Sequence, residues 1–457
     1  MDVGGASDRV RLIDEIAEEN ANIQKKSHGG KVGGLTIFTA AIFIVGDMAG
    51  SGVLALPRAV VDSGWIGLVL IVVCAFISAY TGVVLGRCWV IIKDRFPEKY
   101  ATDHVRYPYP AIGYEAAGIY TRYIITFCVN FTLFGVSTVF LLLAADNMQS
   151  LLNEANVNMS FCYWLPILAA ILCPFTWFGT PKDFWPIAAG AFIATAIACV
   201  LLFIQIFIDY DPSTKVEHKS TDFTNFFLAF GTILFAFGGH AVFPTIQHDM
   251  KRPENFPRTV FLSYSVILTE YLPIAAAGYF IFGNQFFTQD TDNILSLLSD
   301  NGLTVAVTVL ITCHLVCGFI IVINPFCQEL EELFKIPLEF NWKRVVLRTI
   351  VCAFVLFVAE TIPSFGAILS LIGGSTVTFL TFVFPSFFYI RLNRMRSPKE
   401  AWGGRKMQLY EYILHGEIIM VGVLGAIAST YSAIDSIATG ASRFTVPCYV
   451  NVTAAHQ

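Results

Sequence analysis

Charge is scarce in this chain of 457 residues: Asp, Glu, Lys and Arg make up 14% of it, against 55% hydrophobic residues. That shortage, with a mean hydropathy of +0.64, excludes a string of soluble domains and describes a polytopic membrane protein. There is no C-x-x-C pair among the 11 cysteines. Most of them (Cys74, Cys88, Cys128, Cys173, Cys199, Cys313, Cys317, Cys327, Cys352) lie inside apolar runs and read as small core residues, not as ligands or a disulfide framework. Only Cys162 and Cys448 fall near the face assigned below as outer, and whether they are bridged stays open. No spacing of His, Asp or Glu makes a metal site and no nucleophile stands beside a base, so neither a cofactor, a metal nor an enzyme is expected. Nothing in the chain calls for nucleic acid. The polar opening, with LIDEIAEEN in its midst, has no apolar core of a cleavable signal peptide.

Long apolar runs are abundant instead. Windows of about 20 residues, enough to cross a bilayer, predict an all-α protein with eleven spans at 34–61, 65–92, 120–148, 163–179, 184–208, 223–247, 258–283, 302–327, 344–362, 365–390 and 409–434. An odd number puts the termini on opposite sides. With the N-terminus in the cytosol, every one of the 29 Lys and Arg except Arg58, Lys215, Lys219 and Arg443 falls on the inner side, as the positive-inside rule requires. The densest inner cluster, Arg391, Arg394, Arg396, Lys399, Arg405 and Lys406, reads as a topology signal that can also touch anionic lipid. Two glycosylation sequons, at Asn158 and Asn451, lie outside in this topology, as acceptors must; a third match, at Asn130, is inside span three. The organisation expected is a cytosolic tail over 1–32, a membrane domain over 33–434 and an extracytosolic tail over 435–457. Within the first tail, Asp8, Leu12 and Ile13 have the spacing of an acidic dileucine signal read by clathrin adaptors; an amphipathic or disordered tail is the bland alternative.

The most informative stretch is VGDMAGSGVLALP, from Val45 to Pro57. Gly46, Gly50 and Gly52, with Asp47 and Ser51 among them, stand in the middle of span one, where glycine forfeits helix stability. A break at that depth survives only if buried in protein or lining a cavity, because bare N–H and C=O groups in lipid cost several kcal/mol each. The half-helix restarting near Gly52 aims its N-terminal N–H groups into that cavity, which suits a carboxylate. Span six carries a second interruption, with Gly231, Gly238, Gly239, His240 and Pro244. It is the fifth span after the first, and matched interruptions in two five-helix units mark a transporter built of inverted repeats with its site between them.

These stretches carry a resemblance. VGDMAGSGVLALPRAVVDSGW followed by AYTGVVLGRCW resembles the first two helices of the amino acid/auxin permease family, within the amino acid–polyamine–organocation superfamily. FAFGGHAVFPTIQHDMKRPENFPRTV is similar to that family's sixth helix and loop, and YLPIAAAGYFIFGNQFFTQDTDNIL to its seventh helix and exit; YPYPAIGYEAAG and PSFGAILSLIGG extend the likeness across nearly the whole membrane portion. The resemblance implies eleven helices in the leucine-transporter-like architecture: broken helices 1 and 6, five-helix repeats over about 34–208 and 223–390, and one extra helix over 409–434. It also implies secondary transport of amino acids, driven by protons or, in some branches, sodium.

Carried over residue by residue, the family pattern seats the substrate carboxylate on N–H groups near Gly50, Ser51 and Gly52, and its ammonium on carbonyls around Asp47, Met48, Phe235, Ala236 and Phe237. Gly238 and Gly239 permit the unwound geometry, and Phe237 is a candidate aromatic gate. Side-chain choice then falls to neighbours such as Cys128, Asn130 and Thr312. Intramembrane ionisable groups are the default coupling suspects: Asp47 first, then Glu270 and His240, with His314 read as structural. Sodium-coupled branches often carry an asparagine where this chain has Gly46, which favours protons over sodium. The reading is an amino-acid symporter, in the cell-surface membrane or that of an endosome, lysosome or vesicle. The alternatives are a sensor signalling through its cytosolic tail, a sodium-coupled carrier, a channel and an intramembrane enzyme.

Overall fold

The computed structural model describes residues 34–100, 107–154, 159–178, 185–213, 215–218, 220–289, 291–337, 339–395, 407–439 and 447–450. Asp8, Leu12, Ile13, Asn158 and Asn451 lie outside the described residues, as do the basic residues from Arg396 to Lys406.

The fold is all-α and each expected span contains a helix. Helix α1 (Ile37–Met48) and α2 (Ser51–Ser63) form the first, joined at a bend of 55°. Then follow α3 (Ile66–Arg95), α4 (Ile119–Glu154), α5 (Phe161–Thr176) and α6 (Trp185–Ile208). The sixth span divides into α7 (Phe223–Ala236) and α8 (Phe243–Asp249), and is followed by α9 (Phe256–Phe282) and α10 (Gly302–Leu333). Helix α11 (Trp342–Thr361) precedes a tenth span made of α12 (Phe365–Ile372), two π-helical stretches (Gly373–Val377 and Phe379–Val383) and α13 (Phe384–Arg394); α14 (Leu409–Thr439) completes the bundle.

Eight of these spans are long and apolar enough to cross a membrane alone, and the bent α1–α2 pair makes a ninth. The two that fall short do so for visible reasons. Helix α5 has 16 residues, with Pro166 and Pro174 inside it. Helix α11 carries Arg344 and Arg348, both buried, which bond Glu331 of α10: Arg348 Nε donates to Glu331 Oε1 at 2.6 Å and Arg344 Nη2 to Oε2 at 3.1 Å. Arg348 also donates to Asn324 Oδ1 at 2.9 Å and to the Thr176 carbonyl at the end of α5. Charges inside a membrane bundle persist when paired and hydrogen-bonded in this way. The outer surface shows the complementary pattern, with Phe76, Phe127 and Phe261 turned outward as a lipid-facing skin requires.

Helix α1 starts at a capping box in which Thr39 N–H donates to Thr36 Oγ1 at 3.2 Å and Thr36 N–H to Thr39 Oγ1 at 2.7 Å. Just before it, Leu35 pairs backbone to backbone with the end of α8: Leu35 N–H donates to Asp249 O and Lys251 N–H to Leu35 O, both at 2.8 Å. On the opposite face Arg58 of α2 bonds Asp62 at 3.0 Å and donates to the Phe286 and Thr291 carbonyls, each at 3.0 Å. Its guanidinium also lies 4.4 Å from the centre of the Phe287 ring. Both ends of the first span are thus tied to the segments that flank α8 and α9. A disulfide joins Cys162 at the start of α5 to Cys448 beyond α14, closing the question the sequence left open.

Candidate substrate site between the two helix breaks

The two interruptions meet. Helix α1 ends at Met48, and Ala49 and Gly50 carry the chain to Ser51 outside helical geometry. The first N–H groups of α2 have no side-chain cap from Gly50, and a helix start of this kind is where an anion can be taken. Helix α7, capped by Asp222 at its other end (Asn225 N–H to Asp222 Oδ1, 2.8 Å), stops at Ala236. A 3-10 turn, Gly239–Ala241, then leads into α8.

Close approach explains the glycine at position 52. A methyl group there would lie 2.9 Å from the Ala236 side chain, so the start of α2 presses directly against the end of α7. A buried tyrosine bridges the same junction: Tyr271 Oη of α9 is 2.6 Å from the Met48 carbonyl and 3.2 Å from the Ala236 carbonyl. One hydroxyl hydrogen is therefore shared between the two carbonyls freed by the two breaks. Tyr271 escaped the reading of the sequence, although a tyrosine in mid-span beside Glu270 signals a hydroxyl that must find a partner.

A cavity of about 40 Å³ opens at this junction, enough for a few waters and too small for an amino acid. Asp47, Met48 and Ser51 line it from the first break, and Phe235, Gly238, Ala241 and Val242 from the second. Thr132, Leu133, Val136 and Phe140 of α4, Val322 of α10 and Val377 of the first π-helical stretch complete it. Thr132 shares a hydrogen bond of 2.7 Å with Thr376. Asp47, Met48, Ser51, Phe235 and Gly238 thus line one cavity. Gly50, Gly52 and Ala236 are not among the lining residues: Gly52 packs on Ala236 and Gly50 faces His314.

Other candidates lie elsewhere. Phe237 is buried between Tyr264 and Tyr271, ring centroids 6.2 and 5.6 Å away, and is not among the residues lining the cavity. Cys128 belongs to a separate buried cluster with Leu85 and Trp89. Asn130 Nδ2 donates to Glu329 at 2.8 Å, and Thr312 accepts from Asn147 at 3.1 Å; neither lines the cavity. His240 stacks on Phe243 and bonds Thr81 Oγ1 at 3.1 Å through Nε2. Thr81 gives its own hydrogen to the carbonyls of Ile77 or Ser78, so Nε2 is the donor in that contact. Glu270 sits next to Tyr271 in α9 with Oε2 buried and unpartnered. The small apolar wall residues Val136, Val322 and Val377 carried no chemical signal that a sequence could disclose.

Residues 33–435 match the family profile described as "Transmembrane amino acid transporter protein". The chain belongs to that family. Members similar to it include the amino acid transporter AVT1C of Arabidopsis thaliana, 26% identical over 402 residues, covering 85% of this chain and 68% of the relative. The Arabidopsis transporter AVT1J is 24% identical over 418 residues, covering 88% and 92%, and AVT1I is 22% identical over 435 residues, covering 92% and 99%. Membership in the transmembrane amino acid transporter family places the chain among transporters and not among enzymes.

Proposed function

We propose that this protein is a secondary active amino-acid transporter that moves its substrate together with a proton by alternating access. The observation that carries the reading is the meeting of two interrupted spans at one cavity, with a helix start lacking a side-chain cap on one side and the Met48 and Ala236 carbonyls beside it. These are the complements of a carboxylate and an ammonium, the groups all amino acids share. The carboxylate takes the N–H groups at Gly50, Ser51 and Gly52. The ammonium takes the carbonyls around Asp47, Met48 and Phe235 to Phe237; those at Met48 and Ala236 keep a second lone pair beyond the bond from Tyr271.

In this reading the Arg58 contacts close one side and the Leu35 pairing closes the other, and releasing either set lets half of the broken pair swing out. Gly46 in place of an asparagine supports protons over sodium; of the three coupling candidates the sequence offers, Asp47, Glu270 and His240, Asp47 lines the cavity. Arg and Lys distribution supports a cytosolic N-terminus and an extracytosolic C-terminus, with Asn158 and Asn451 glycosylated. Clathrin adaptors reading Asp8, Leu12 and Ile13 would then sort the protein between the cell surface and endosomal or lysosomal membranes.

The test is uptake of labelled amino acids, one by one, into vesicles containing the purified protein, under inward and outward proton gradients and with sodium on either side. Saturable accumulation of at least one amino acid down an imposed proton gradient is expected. Accumulation that follows sodium and ignores pH would replace the coupling ion while leaving the carrier; no saturable flux of any amino acid would end the reading.

A further inference from the structure

We propose that the Nε2 atom of His314, and none of the three groups singled out from the sequence, takes the co-transported proton, and that the substrate's carboxylate is what draws it there. His314 of α10 is buried. Its Nδ1 lies 3.2 Å from the Ala191 carbonyl of α6, an acceptor only, so Nδ1 carries the hydrogen of the neutral ring and Nε2 is left with its lone pair. Nε2 has no hydrogen-bond partner. It points at the first break, where a methyl group on Gly50 would lie 2.5 Å from it. Gly50 precedes the uncapped N-terminus of α2, where the carboxylate is seated in the reading above.

The surroundings leave the ring free to respond to that carboxylate. The ring meets Phe140 of α4 edge-on at 6.1 Å, the Ala191 carbonyl of α6 and the Gly50 backbone. The titratable groups nearest in sequence to these contacts are Asp47 before Gly50, Asp146 after Phe140, Cys199 after Ala191, and Cys313 and Cys317 on α10 itself. Asp146 is engaged by Asn293 at 3.1 Å.

With the site empty, the positive end of α2 opposes a second positive charge on the imidazole. A carboxylate on those N–H groups reverses the local sign and favours the protonated ring. By linkage the reverse holds too: a proton on Nε2 tightens carboxylate binding by the same factor. The step makes one N–H bond on the Nε2 lone pair with a proton from the medium on one face, and breaks it to the medium on the other after the carboxylate leaves. Proton and substrate are thereby coupled at one place. The same geometry explains why position 50 is a glycine: a side chain there would displace the ring from the helix end.

This inference rests on the proton-coupled reading, and the experiment separates the two. Uptake of a uniformly labelled mixture of the standard L-amino acids is measured in vesicles between about pH 5 and pH 8, the range in which histidine responds. In the wild type the half-saturation constant should fall by up to about tenfold per pH unit as pH falls, the limit for one linked proton. In His314→Gln, which cannot titrate, it should be flat. A wild type without slope ends the proton-coupled reading and this inference with it. A sloping wild type with an equally sloping His314→Gln overturns this inference alone, as does a slope abolished by Asp47→Asn or Glu270→Gln and kept by His314→Gln. Should His314→Gln fail to fold, the wild type decides: in weakly buffered solution it should take up protons on adding the amino-acid mixture and none on adding the matching amines that lack the carboxylate. Equal proton uptake from both, or none from either, would overturn the assignment.

Discussion

The two helix breaks are not equivalent. The first is an elbow: two non-helical residues, a 55° bend, and an N-terminus with no side-chain cap. The second stays within a span running from Phe223 to Asp249, its interruption bridged by a 3-10 turn in which Val242 N–H still donates to the Gly239 carbonyl at 3.2 Å. The first therefore leaves its helix start without a side-chain cap, and the second keeps a backbone bond across its interruption. In the proposed reading, recognition of the substrate's charged ends falls mainly on the first break, while the second supplies a wall, a few carbonyls and a hinge. Their contact is direct, with the Met48 side chain packed against Gly239.

That asymmetry can be broken or sharpened by substitution. Gly52→Leu should have the largest effect, lowering uptake by more than about 100-fold at normal abundance in the membrane, because the side chain must displace Ala236 only 2.9 Å away in a packed interior. Near-normal uptake would show that α2 and α7 need not touch. Arg58→Ala frees α2 from the Phe286 and Thr291 carbonyls and should shift the ensemble toward opening on that face. A cysteine placed near Ser51 should then react with a membrane-impermeant thiol reagent about tenfold faster, a factor worth about 1.4 kcal/mol of bias. Tyr271→Phe removes the hydroxyl shared by the two breaks, at a cost of about 1 kcal/mol. A several-fold fall in turnover and a loss of a few degrees in thermal unfolding should follow, and no change in either would remove the bridge from the mechanism. Gly239→Ala should do least, a few-fold on uptake, because the methyl would lie 2.7 Å from the flexible Met48 thioether, which can give way, and 2.8 Å from the buried Phe243 ring, which must shift slightly; an effect as large as that of Gly52→Leu would erase the distinction between the breaks.

The sequence reveals the parts of this fold that rest on bulk physics. Apolar runs mark the spans because lipid admits little else, and Gly46, Gly50 and Gly52 mark the first break because helices rarely carry three glycines so close together. Counting apolar windows even reaches α11 as the ninth span, despite its two buried arginines. What stays hidden depends on which residues face one another. Asn130 and Thr312 look like selectivity residues until their partners Glu329 and Asn147 are seen. Tyr271, Arg58 and His314 look ordinary until three-dimensional neighbours give each a specific contact. Phe237 has the position of a gate along the chain, yet its ring turns toward Tyr264.

The ion network around Glu331 has a consequence for how the protein is made. Arg344 and Arg348 are charges that an otherwise apolar span carries at a cost in lipid, and their counter-charge is on the helix synthesised just before. Helix α11 is therefore expected to leave the insertion machinery only in the company of α10, so that replacing Glu331 would first be felt as a fault of topology, long before any substrate arrives.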